Sequence, residues 1–502
     1  LGPTTVVCLI LNRTIGSGIF VTPALVLHGM GSVGGSLLLW VFGGLISTCG
    51  LMVWLQLGLS LPLLPTGNDK MLRAVPRSGG EKNYLEFIYR KERDEPKLLV
   101  KSMYGIAFAL IGNLSGNAIS FGIFVMNAAG YSPAPKGPVI GLAIGILAFT
   151  VLLHMVSRRA GLFLNNVFAL LKVTLLVAII VLGFLKAGGV SLGGKPKATS
   201  NFDANESFRP GAGEVPSVTN SLVYVVYAFA GFEQPFYVLT EVRTPRKIFP
   251  RYTLRTMAFV ITLFLLVNVA YFCAVPRDTP ALNIQRNMAI VFFGHVFGDD
   301  NEAAKRVMAA IIAVSISGNL LVMTYTASRV KQEIAKEGIL PWSLTFATSH
   351  RTPWAWWKGR HLAEDDPTLE QSPMAALVLH FFTSTLLVAL TAMLEPSSAY
   401  SVLVTLYSYV INILIGFFTS LGLLYLKFKR NRNWSNPNFN PPFGWAYALV
   451  YCLACAFMLV AAFVPPSDGS PYTNAAIKLP WYVVPAIGLS VPFWGIAWYL
   501  GL

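Results

Sequence analysis

Runs of roughly 20 apolar residues recur along this chain, and that recurrence limits it to segments that cross a bilayer. Lipid offers no hydrogen-bond partners, so a spanning segment pairs its backbone internally, as a helix, or closes into a barrel. Runs this long and unbroken read as helices. Twelve stand out, at about 4–28, 34–61, 98–127, 138–156, 164–187, 215–240, 252–276, 303–327, 373–393, 397–423, 443–464 and 481–501. With 54% hydrophobic and 12% charged residues among 502, an all-α polytopic membrane protein with twelve transmembrane helices is expected. The first run is too long for a cleavable signal and has no small-residue cleavage site. Since the numbering opens on Leu1 and not Met, a cytoplasmic tail is expected to precede it.

The formal charge of +15 would suggest nucleic acid in a soluble protein. Here its distribution argues otherwise. If the N-terminus lies inside, most of the 38 Lys and Arg fall in the inner segments 62–101, 157–163, 241–256, 328–372 and 425–436. That is the positive-inside bias that orients helices during insertion, and it puts both termini in the cytoplasm. The segment 62–97 contains "PRSGGEKNYLEFIYRKERDEPK" and reads as an amphipathic helix on the inner surface, while 283–297 reads as an external re-entrant or surface helix. No catalytic centre, metal site or cofactor is expected. The five Cys sit in or at the ends of spans, the six His are scattered, and no phosphate-binding glycine loop is present.

The first span is the anomaly. "LNRTIGSGIFVTP" (Leu11–Pro23) puts Asn, Arg and a Gly-Ser-Gly triplet at mid-membrane, where a broken helix must find its partners in protein or in something bound. The chain is expected to unwind over Thr14, Ile15, Gly16, Ser17 and Gly18 and to restart near Ile19. The restarted half-helix would aim its free N–H groups and positive dipole end at the midplane, an environment for a carboxylate. A second interruption falls in span six, "VYVVYAFAGFEQPFYVLTEV", at Gly231, Glu233 and Pro235. Carbonyls freed there, from Tyr227 through Phe229 to Ala230, would suit an ammonium. A zwitterionic α-amino acid fits both. Two broken spans in matching places of two halves point to an inverted-repeat transporter with its site at the midplane.

Three charges, Arg13, Lys172 and Glu233, lie well inside the spans and away from their ends. An unpaired charge at such depth costs at least about 2.5–3.5 kcal/mol on insertion scales, so each needs a partner or a role. Lys172 lies about two turns into span five, and its long stem could snorkel to the inner surface. Arg13 precedes one break and Glu233 follows the other, both on the cytoplasmic side of the midplane, so pairing with each other or with a polar cavity is expected, as a static ion pair or as an inner gate that responds to pH.

"TIGSGIFVTP", "PRSGGE", "YAFAGFEQPFYVLTEVRTPRKIFPR" and "ASRVKQEIAKEGILP" together resemble the amino acid–polyamine–organocation superfamily. Within it the chain is most similar to the L-type branch, and especially to fungal methionine-permease-like members. The resemblance implies a leucine-transporter-type 5+5 inverted repeat with helices one and six broken, as a core over 1–423, followed by two further helices in 424–502. It implies a carboxylate site at Ser17, Gly18 and the Ile19 N–H, and ammonium-binding carbonyls at Thr14, Ile15, Tyr227 and Ala230. Tyr227, with Phe232, matches gating aromatics. Lys172 matches a lysine that stands where sodium-coupled relatives hold sodium, bridging spans one, five and eight. The side-chain pocket would be lined by Ala230, Gly231, Phe232, Asn113 and Ser317.

The function so implied is secondary active amino acid transport by alternating access at the plasma membrane. Proton-coupled uptake of neutral, apolar or methionine-like L-amino acids is expected. Sodium-independent exchange, cationic substrates and a non-transporting amino acid sensor stay open. The loop "AAGYSPAPKG" after span three lacks the cysteine by which heteromeric exchangers join a glycoprotein, so no disulfide-linked heavy-chain partner is expected.

Overall fold

The computed structural model describes residues 1–61, 77–89, 98–190, 192–193, 199–208, 215–279, 282, 287–298, 301–359, 369–429, 439–465 and 480–501. Among these residues regular structure is almost all helix, save two short strands, His350–Arg351 and Gln371–Ser372, paired antiparallel. Among the described residues nine helices are long and apolar enough to cross a bilayer. They are Val33–Ser60, Leu98–Ala128, Lys136–Val156, Arg158–Ala187, Pro245–Ala274, Glu302–Ala335, Pro396–Phe428, Gly444–Ala461 and Val483–Gly501, which correspond to expected spans two, three, four, five, seven, eight, ten, eleven and twelve. Pro3–Thr14 and Ser17–Met30, bent by 42°, make a tenth, span one. Val215–Phe229 and Met374–Leu390 stand at spans six and nine, but with 15 and 17 residues they are shorter than a full crossing.

Polar residues set the helix starts. Ser32, Ser157 and Asn301 accept the N–H of Gly35, Ala160 and Ala304 at 3.2, 3.2 and 3.1 Å. Each removes one of the N–H groups that a helix start leaves unpaired. Span one ends on Gly31, whose φ of 63° is the left-handed turn a glycine takes without strain. Its first half packs on spans five, seven and eight, and its second half on span six. Span eleven packs on spans two and ten, and span twelve on spans three and ten. Spans four and five turn Phe149, Leu152, Phe163 and Leu170 outward, the apolar coat that lipid requires.

Two further interruptions appear. Span three breaks between Ile111 and Ser115. Asn113 bridges that gap, donating to the Leu110 carbonyl at 2.8 Å and accepting the Ser115 N–H at 3.1 Å, so its amide serves its own helix and not a ligand pocket. Span ten contains a π-helical segment, Ser408–Leu414, a distortion frequent at functional sites.

The helix expected on the inner surface is instead inserted. Glu81–Tyr89 is helical, and Glu81, Lys82, Asn83, Tyr84, Leu85 and Ile88 are all buried; 62–76 and 90–97 lie outside the described residues. Its polar face meets protein rather than water, which periodicity alone cannot distinguish. The segment 283–297 likewise gives a mostly buried helix, Met288–Phe297, with 283–286 outside the described residues.

Candidate functional site

Span one breaks where the glycines permit it. Thr14 closes the first half, and Ser17 opens the second with no side chain capping its first turn. The N–H groups at that N-terminus therefore carry the partial positive charge that favours an anion. Gly18 is needed for closeness, since a Cβ there would lie 3.0 Å from Ala228 Cα in span six. Span six breaks at Gly231, whose φ of +140° is one that L side chains rarely adopt. A Cβ on Gly231 would also lie 2.5 Å from Thr14 Oγ1. The two breaks are thus pressed together.

Some of the expected carbonyls already have partners. Thr14 O accepts the Gly16 N–H at 3.0 Å and Tyr227 O accepts the Ala230 N–H at 3.1 Å, leaving each one further lone pair. Ser315 Oγ donates to Ile15 O at 3.5 Å. Phe229 is fully buried with its ring against Trp40 and Phe264 at 5.6 and 5.2 Å, so only its backbone faces the break. Phe232 packs edge-on against Trp54 at 5.6 Å.

Asn319 is the residue that sequence reading missed. Its Nδ2 donates to the carbonyls of Arg13 and, at 3.4 Å, Asn12, while its Oδ1 accepts from Asn117 Nδ2 at 2.9 Å. Asn117 Oδ1 in turn accepts from the Tyr227 hydroxyl at 2.8 Å, and Tyr400 donates to Ser17 Oγ at 3.0 Å. One polar chain therefore joins span eight to spans one, three and six, and a second contact ties span ten to span one. Ser317, expected in the pocket, instead donates to Val314 O within its own helix. At 3.6 residues per turn Ser315 and Asn319 share a face and Ser317 points away from it. Asn319→Ala strands the Arg13 carbonyl and the Asn117 Nδ2, whereas the Asn12 carbonyl keeps Lys172, a loss of about 1–3 kcal/mol for each buried group left unpaired. Thermal unfolding of the purified variant is expected several degrees below the parent; an unchanged midpoint would count against this brace.

The charged residues divide. Lys172 is 2% exposed and its Nζ donates to Asn12 O at 2.7 Å. It reaches span one and does not snorkel. Asn12 continues the link, donating to Gly318 O of span eight at 2.9 Å and to Asn165 Oδ1 of span five at 2.8 Å. Arg13 and Glu233 are both buried, yet no ion pair joins them. The guanidinium lies over the rings of Tyr227 and Tyr407 at 5.8 and 5.5 Å, with Nε and Nη2 unpartnered. Glu233 instead accepts the Gly231 N–H at 2.8 Å and Gln234 Nε2 at 2.9 Å. The expected pair fails because each partner finds a nearer neighbour: aromatic faces that attract a desolvated cation, and the unpaired donor of the break itself.

A multi-span helical membrane protein with two interrupted helices meeting at mid-depth is the framework of a solute carrier. The amino acid permease family model matches residues 1–490, and the chain belongs to that family. It is 29% identical to the high-affinity methionine permease of Saccharomyces cerevisiae, across all of this chain and 78% of that protein. Similarity to the low-affinity methionine permease of the same yeast is 28%, over 68% of this chain and 59% of that one. The mouse b(0,+)-type amino acid transporter 1 is 27% identical over 66% and 62%.

Proposed function

We propose that this chain takes up neutral L-amino acids, apolar or methionine-like, together with protons, by alternating access across the plasma membrane. The observation that carries the reading is the uncapped helix start at Ser17, held against the second break at Gly231. The substrate carboxylate takes the N–H groups of Ser17, Gly18 and Ile19, and the ammonium takes the carbonyls of Thr14, Ile15, Tyr227 and Ala230. Tyr227 closes the site from outside, and Phe232 is a second gating aromatic. The names of the yeast relatives support methionine as the first substrate to try. Residues 1–423 form the ten-helix inverted-repeat core and 424–502 carry helices eleven and twelve, with both termini cytoplasmic. It works without a disulfide-linked partner.

Lys172 and Glu233 couple the proton to movement of the breaks, with Arg13 beside them. Glu233 holds the span-six break through the Gly231 N–H, so its charge bears directly on that geometry. Glu233→Gln keeps the shape and removes the ionisable carboxyl. It is expected to flatten the pH dependence of methionine uptake while exchange of one amino acid for another continues. A variant that keeps the parent's full pH profile would remove Glu233 from the coupling.

A further inference from the structure

The buried helix Glu81–Tyr89 brings into the protein a carboxylate that no cation among the described residues pairs with. Glu81 is 2% exposed. Its Oε1 accepts from Trp54 Nε1 of span two at 2.9 Å and from the Tyr237 hydroxyl, just past the span-six break, at 3.2 Å. Oε2 accepts from the Tyr104 hydroxyl of span three at 3.0 Å. Three elements are thus pinned to one side chain. The neighbouring cations are engaged elsewhere. Lys82 and Lys101 both pair with Glu337, Lys101 also pairs with Glu86 at 3.1 Å, and Arg13 lies against Tyr227 and Tyr407. Among the described residues the remaining titratable groups around Glu81 are Tyr84 on its own helix, Tyr407 of span ten, Tyr451 of span eleven and Glu233.

Glu81 and Glu233 line one small cavity, with Ser47, Asn412 of the π-helical segment and Tyr451 among its walls. Ser47 Oγ and Asn412 Nδ2 are buried there without a partner. The space suits about one water molecule, and the polar lining gives such a water its hydrogen bonds. The cavity runs from the span-six break, at Ala230 and Phe232, to Glu81.

We infer that Glu81 is a binding site for the transported proton, received from Glu233 across this cavity. The inference rests on the proton-coupled reading above. Ionised, the carboxylate holds the donors of spans two, three and six together and keeps the Glu81 side closed. Protonated at Oε2, it becomes a donor toward Tyr104 Oη, whose hydroxyl must turn away, and the clasp loosens. Release of the proton to the cytoplasm restores it. Burial supports this assignment by pushing the Glu81 carboxyl up to about 7 against the hydrogen bonds from Trp54 and Tyr104, while Glu233 adds to the rise. The group is then protonated on the acid side of neutrality and ionised above it.

The test uses the full chain purified into liposomes with labelled L-methionine and a trapped pH dye. Glu81→Gln keeps one acceptor oxygen for Trp54 and Tyr237, presents an N–H toward Tyr104 as the protonated acid does, and cannot titrate. It is expected to lose at least tenfold in uptake driven by an inward proton gradient and to show no methionine-dependent acidification of the lumen, while methionine still binds. Tyr104→Phe removes one donor to the charged form, so its pH profile should move to higher pH. Acidification by Glu81→Gln equal to the parent's, or an unshifted Tyr104→Phe profile, would overturn the inference. A parent that carries methionine without moving protons would overturn the coupled reading together with it, whereas a parent that moves them while Glu81→Gln does so equally would reject Glu81 alone.

Discussion

Gly18→Leu is expected to weaken methionine binding by at least about 100-fold, about 2.8 kcal/mol at about 1.4 kcal/mol per tenfold, in a protein that still folds. The reason is the spacing of two backbones. A Cβ on Gly18 would sit 3.0 Å from Ala228 Cα and 3.1 Å from Ala228 Cβ, and a backbone atom cannot rotate aside as a flexible side chain would. Leucine adds three more carbons at the point where the half-helix presents its N–H groups. Span one must then shift from span six, and the carboxylate site loses its alignment. Gly145→Leu is the control, because a Cβ on Gly145 meets nothing within 4 Å and the same change in apolar bulk should be tolerated. Binding by scintillation proximity, with thermal unfolding to verify the fold, decides it. Parent-like affinity in a folded Gly18→Leu protein would remove the span-one break from the site.

Lys172→Ala should insert and fold yet lose gradient-driven uptake by at least tenfold. The ammonium is buried and its bond to Asn12 O ties span five to the last turn before the break. Without it that carbonyl keeps only the longer contact from Asn319, at 3.4 Å, and the first half of span one loses a polar tie to span five, keeping the bond from Asn12 Nδ2 to Asn165 Oδ1. Loss of the cation also relieves its desolvation, so stability is expected to change less than transport. Uptake in liposomes, normalised to inserted protein, measures this. A Lys172→Ala protein that concentrates methionine like the parent would make the lysine a packing residue only.

The Gly-Ser-Gly triplet in span one and Gly231 in span six were legible because lipid leaves an interrupted helix few solutions. Lys172 was legible for a related reason, since a charge at that depth demands a partner. Asn319 was not. It lies about 300 residues from the carbonyls it braces, and its helix is buried on so many sides that no polar face marks it. Ser317 was misjudged by two residues, which on a helix is the opposite face. The pairing of Arg13 with Glu233 failed because charge was weighed without the rings of Tyr227 and Tyr407. Glu81 looked like part of a surface helix, and only the contacts from spans two, three and six reveal it as interior.

Accumulation of labelled amino acids by the purified protein in sealed liposomes, with and without an inward proton gradient, tests the central claim most directly. The account predicts that L-methionine and other neutral amino acids concentrate inside when the outside is acidic, and that a protonophore abolishes the accumulation. No uptake of any amino acid in the panel, or uptake indifferent to the proton gradient, would contradict it.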